Sequence, residues 1–102
     1  SRIGDSTGVV CYNDEIACKL LEVYARNGIK VPEQVSIVSF DNSDLAAVGH
    51  PGLTSIDYPA GEIGAEAARR LLALIRRQSR GSYAFPPRMV ERGSVRNLNR
   101  DK

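Results

Sequence analysis

The chain has 102 residues, enough for one small domain and not for two. Hydrophobic residues make up 42% and charged residues 25%, the proportions of an ordinary soluble globular protein. A formal net charge of +2 is too slight to argue for nucleic acid or an anionic membrane as a partner.

The opening residues, Ser1 to Asp5, lack the apolar segment of a signal peptide, and no apolar run approaches bilayer length. A cytoplasmic protein with no membrane association is the expectation. Gly8 to Tyr12 is a short apolar run, read as a strand buried on both faces of a parallel sheet. Asn13 suits a helix N-cap, and Asp14 and Glu15 fall in the first turn, where the helix dipole favours acids. Ile16, Ala17, Leu20, Leu21 and Tyr24 then share one helical face, and Gly28 and Pro32 end the helix. Cys11 and Cys18 form neither a CxxC pair nor a zinc ligand set, so reduced, buried thiols are expected.

Val35 to Phe40 is the second strand, rich in β-branched residues, and it ends in the polar cluster Asp41-Asn42-Ser43-Asp44. Leu45 to Gly52 has room for one short helical turn before Pro51 and Gly52 break it. Leu53 to Asp57 is the third strand. Pro59 then opens a long helix whose apolar stripe is Ile63, Ala67, Leu71, Leu74 and Ile75. Gly81 follows, and Ala84 to Val95 reads as an extended segment interrupted by Pro86 and Pro87.

This order predicts an α/β fold with a largely parallel sheet. Such sheets bind ligands beyond the carboxyl ends of their strands, and Asn13 and Asp41 fall at that edge. Both are short polar side chains able to exchange hydrogen bonds with hydroxyls. Physical reasoning reaches a polar-ligand crevice of unspecified chemistry.

Five segments carry a resemblance to the LacI/GalR-type transcription regulators. Tyr12 to Ala17 resembles the family's ND-x-x-A, and Gly28 to Asn42 resembles G-x-x-VP-x-D-x-S-x-x-GFDD. Pro51 to Ile56 is similar to P-x-LTT-[IV], Gly64 to Leu71 to G-x-x-A-x-x-x-L, and Met89 to Ser94 to LV-x-R-x-S. Each is weak alone; their order and separation, from about Val9 to Ser94, make a strong signal. Two departures stand out: Ser39 replaces the usual Gly and Asn42 the second acid, changes expected to touch the site's rim. A glutamine or histidine often follows the third strand, where this chain has Tyr58 or a neighbour. Cys11 to Asp14 resembles the arabinose-repressor branch, whose members join this core to a GntR-type winged helix.

The resemblance implies a partial C-terminal lobe of a periplasmic binding protein-like type I fold, a parallel-sheet sandwich. Residues 1–58 would be lobe strands and helix, 59–82 a hinge-crossing helix, and 83–102 a C-terminal extended segment. It also implies a small sugar or sugar-like effector, dimerisation, and operator DNA bound only through a domain outside this chain. No cofactor, metal or catalytic residue is implied. Asn13, Asp41 and Tyr58 are the effector-binding candidates.

Each candidate has a plainer alternative. Asn13 can be a cap, Asp41 can cap the turn that follows it, and Tyr58 can pack between segments. Asp14 reads as structural, through the helix dipole and loop contacts. Arg69, Arg76 and Arg80 share a helix face but lack interleaved aromatics, so a solvated face is favoured over a nucleic-acid patch. Arg92 is expected in an ion pair, and His50 on a surface loop. The long helix, if its natural partner is the regulator's other lobe, would leave its stripe exposed here and drive self-association.

The competing class is a fragment of a periplasmic sugar-binding protein of a transport system. The Val-Pro-x-x-Val-Ser and Leu-Thr-Ser-Ile phrases favour the regulators. A phosphoacceptor receiver domain needs an upstream acidic pair in another position and a downstream lysine. An enzyme is not expected, since neither a G-x-S-x-G nor a phosphate-binding loop is present.

Overall fold

The computed structural model describes residues 6–78 and 81–101. The chain divides into two compact units, Ser1–Asp57 with Arg88–Lys102, and Tyr58–Pro87.

The first unit is built on a four-stranded sheet in the order β1-β2-β3-β4. The strands are β1 (Gly8–Val10), β2 (Ser36–Phe40), β3 (Thr54–Asp57) and β4 (Arg88–Val90). The first three run parallel, and β4 lies antiparallel on β3. The long crossover between β1 and β2 holds α1 (Asp14–Arg26), and the next holds the short α2 (Asp44–Val48). Parallel neighbours joined by helical crossovers give the α/β architecture expected from the alternation of elements.

Local chemistry explains where α1 starts and stops. Asn13 has extended backbone, and its Oδ1 accepts from the Ile16 N–H at 2.9 Å. At the far end Gly28, at φ 70°, makes the left-handed turn that a side chain would strain. There Ile29 N–H donates to the Tyr24 carbonyl at 2.9 Å and Gly28 N–H to that of Ala25 at 3.3 Å. That pair of bonds is a Schellman ending, and it satisfies two of the helix's last carbonyls.

Ala17 and Tyr24 from α1 pack with Cys11, Val35, Ile37, Ala46 and Leu53 as the core. Ile16 is exposed, at the solvent margin of the face assigned to it. Strand β2 alternates: Ile37 and Ser39 are buried, while Ser36, Val38 and Phe40 on the other face are half-buried. Strand β1, read from its apolar run as buried on both faces, is not: Gly8 and Val10 are exposed and Val9 is half-buried, because β1 is an edge strand of the sheet. Ser94 fastens the segment after β4 to the sheet: its hydroxyl donates to the Ile37 carbonyl at 2.6 Å and accepts from Thr54 N–H at 2.9 Å.

The second unit contains α3 (Ala60–Ile75), with Pro59 at its N-cap position. Ile63, Leu71, Leu72, Leu74 and Ile75 are exposed, and among its residues Ala73 is buried. Glu66 receives both Arg70, at 2.9 Å, and Arg69, at 3.1 Å. Tyr83 and Phe85 meet edge to face, with centroids 4.8 Å apart. The helix ends at Ile75, so Arg76, its C-cap residue, and Arg77, at φ 58°, do not share a helix face with Arg69; both are exposed, and Arg80 lies outside the described residues. Among the described residues no helix is long and apolar enough to cross a membrane.

Candidate functional site

Asn13 follows β1 and Asp41 follows β2, so the parallel pairing of these neighbours brings both to one sheet edge. It is the carboxyl edge, where open α/β sheets bind ligands. Tyr58 is exposed and belongs to the second unit.

Asn13 performs its capping role through Oδ1. Asp41 does not cap α2; the N-cap position there is Ser43. Asp41 is exposed and stands at φ 106°, followed by Asn42 at φ 50°. A non-glycine residue in so sparse a region costs on the order of 1–3 kcal/mol, and persists only where its surroundings impose it. Asn and Asp tolerate the left-handed region better than other residues, which fits the sequence here.

The surroundings centre on Asp14, which is 1% exposed. Its Oδ1 accepts from the hydroxyls of Ser39 at 2.5 Å and Ser55 at 2.7 Å. Its Oδ2 accepts from Ser43 twice, from the backbone N–H at 2.6 Å and the hydroxyl at 2.8 Å. One buried carboxylate therefore joins α1 to β2, β3 and the loop between β2 and α2. Burial pushes its pKa up, but the bonds from Ser39, Ser55 and Ser43 outweigh this and hold it below the ordinary carboxylate range. Asp14 also raises the Cys18 thiol, after burial, and burial alone raises that of Cys11. Both cysteines are free, Cys11 buried and Cys18 half-buried, and raised thiols are poor nucleophiles.

Arg92 corrects one sequence expectation. It was expected in an ion pair, yet its guanidinium meets two neutral oxygens, the Leu53 carbonyl at 2.7 Å and Asn42 Oδ1 at 2.8 Å. The physical reason is the side chain at position 42, an amide rather than an acid. Its stem passes close to Gly52, where an added Cβ would stand 3.1 Å from Arg92 Cδ. The departures at Ser39 and Asn42 both have partners in the fold. Ser39 is buried against Asp14, and Asn42 is tied to Arg92.

Sequence reasoning missed the serine cluster. Its signal was present as Ser39 in place of glycine and as serines at 43 and 55, but nothing local connects these to Asp14. His50 is exposed, and among the described residues no group of three His, Cys, Asp or Glu side chains is placed to hold a metal ion. What the edge offers is hydrogen bonding: a carboxylate on a fixed turn and an amide beside it, suited to a polyhydroxylated ligand.

The family model described as a periplasmic binding protein-like domain matches residues 2–95. The arabinose metabolism transcriptional repressor of Halalkalibacterium halodurans is 36% identical over 103 residues, covering 94% of this chain and 28% of the repressor. The structure of the transcriptional regulator CelR in complex with cellobiose superposes with a TM-score of 0.84 at 28% identity, over 90% of this chain and 29% of that one. The LacI family regulator CCPA from Weissella paramesenteroides, with bound glucose, gives 0.78 at 29% identity, over 91% and 33%. The chain thus spans about a third or less of the length of these proteins.

Proposed function

Because this chain belongs to the periplasmic binding protein-like domain family, in the company of LacI-type transcription regulators, we propose that it is part of a regulator's effector-sensing core. In this reading it is the C-terminal portion of that core and forms one wall of a sugar-binding cleft. Asp41 and Asn13 supply hydrogen bonds to effector hydroxyls, and Tyr58 is a third proposed effector contact. The observation that carries the reading is Asp41 itself: an exposed carboxylate on a left-handed turn at the carboxyl edge of a parallel sheet.

The chemistry is selective. A carboxylate accepting two hydroxyl donors makes charge-assisted bonds about twice as strong as neutral ones. An analogue lacking one hydroxyl leaves the acid short of a partner and is discriminated against. The relatives named for arabinose metabolism and solved with cellobiose or glucose support a saccharide as the effector class.

The rest of the mechanism is a property of a longer protein. Effector binding closes two lobes, changes the geometry of a dimer, and alters operator affinity through a separate DNA-binding domain in the cytoplasm. A coupling of about 1–3 kcal/mol gives an effect of roughly 5–150-fold. The exposed stripe on α3 is read as a face that the regulator's other lobe covers, and that a second copy of this chain covers when it is alone.

Saturation-transfer NMR with arabinose and its 2-deoxy analogue tests the saccharide reading. Transfer to arabinose that weakens sharply for the deoxy sugar is the expected result; equal transfer to both, or to neither, contradicts it.

A further inference from the structure

We propose that Asp14 and Arg92 are positioning residues for the Asp41 carboxylate: from α1 and from the segment after β4 they hold the turn at residues 41–43, with Asp41 and Asn42 at positive φ, before any ligand arrives. This rests on the reading of Asp41 as the sugar-contacting acid.

Three consecutive amides of the turn are pinned from outside it. Asp41 N–H donates to the Ile56 carbonyl at 2.9 Å, Asn42 N–H to Ser55 Oγ at 2.9 Å, and Ser43 N–H to Asp14 Oδ2 at 2.6 Å. The Ser55 hydroxyl is aligned by its own bond to Asp14 Oδ1, which turns a lone pair toward Asn42. Asp14 therefore fixes two of the three amides, one directly and one through Ser55. Arg92 fixes the middle side chain through Asn42 Oδ1, and its other nitrogen is anchored on Leu53.

Two features separate this arrangement from a turn built for stability alone. Ser43 stands at the N-cap of α2, yet its hydroxyl donates to Asp14 and no side chain caps that helix. A cap normally worth a good part of a helix's stability is given up to hold the turn. The Asp41 carboxylate, in turn, makes no hydrogen bond among the described residues, while the groups around it are engaged. The turn is fixed and its acid is left open, the arrangement that lowers the ordering cost of capturing a ligand.

The test uses the 15N-labelled 102-residue chain with Arg92→Met, Asn42→Gly and Asn42→Asp, since Asp14→Asn is at risk of unfolding. Without ligand, the order parameters of residues 41–43 are expected near 0.85 in the original chain and in Asn42→Asp. They fall below about 0.6 in Arg92→Met and Asn42→Gly, while β2 and β3 stay rigid. Asn42→Gly keeps the melting temperature, because glycine takes a positive φ freely, yet loses severalfold in arabinose affinity. A turn that stays rigid in both variants, or an affinity loss that only tracks melting temperature, overturns the proposal. Loosening of the turn supports the positioning role whatever the sugar result; an original chain unmoved by sugar counts against the sugar reading alone.

Discussion

The hydroxyl of Ser39 donates to Asp14 Oδ1 at 2.5 Å, across 25 residues of sequence, and ties the first turn of α1 to the middle of the sheet. Asp14 is buried and held below the ordinary carboxylate range, so its contribution to stability has a definite sign. A depressed acid stabilises fully above its unfolded pKa, about 3.9, and the contribution is lost as pH falls through the folded value. Urea unfolding is therefore expected to show stability falling below about pH 4, with the fall flattened in Asp14→Asn. Ser39→Gly removes one charge-assisted bond, costs about 1.5–3 kcal/mol, and moves the acid loss to higher pH. An unchanged acid limb in both variants would argue against Asp14 as the hub.

Tyr24 presents the opposite case. Its side chain is 2% exposed, and its hydroxyl has no hydrogen-bond partner among the described residues. Burial first, and Cys11 second, push the phenol's pKa up. Tyr24→Phe removes a desolvated polar group and keeps the ring, so it is expected to stabilise the chain by about 1 kcal/mol. Destabilisation on denaturant unfolding would show that the hydroxyl has a partner.

These two residues also show what the sequence makes legible. The Asn13 cap, the Gly28 ending and the short α2 were readable because each depends on neighbours a few positions apart. Asn13 and Asp41 at one edge followed from reading two parallel strands. The role of Asp14 was not readable in full, since an acid in a helix's first turn already has a local explanation. Its serine partners lie 25, 29 and 41 residues away. Arg92 was assigned to an ion pair for the same reason: its partner is Asn42, 50 residues distant. The antiparallel pairing of β4 on β3 is likewise a tertiary choice, and the extended segment read over Ala84 to Val95 forms a strand only at Arg88–Val90.

Asn42→Asp places a carboxylate against the guanidinium of Arg92, now 2.8 Å from an amide oxygen. Asp tolerates the φ of 50° at this position, and the pair is partly buried. A gain of up to about 1 kcal/mol is expected, diminishing in high salt. A loss of stability at low salt would contradict the geometry.

The stripe on α3 predicts association. Leu74 and Ile75 are 68% and 69% exposed, and a large apolar side chain left in water forgoes about 1.5–3 kcal/mol of burial. Sedimentation is expected to show concentration-dependent self-association, abolished by Leu71→Glu with Leu74→Glu. A monodisperse monomer over the whole concentration range would remove the need for a covering copy.

The central claim is that the edge holding Asn13 and Asp41 is one wall of a sugar site. Amide shift mapping of the labelled chain during an arabinose titration tests it most directly. The account predicts weak, saturable shifts, with Kd on the order of millimolar, centred on Asn13, Asp41 and Asn42 and absent in Asp41→Asn. Shifts that avoid this edge, or a response that survives Asp41→Asn unchanged, would contradict it.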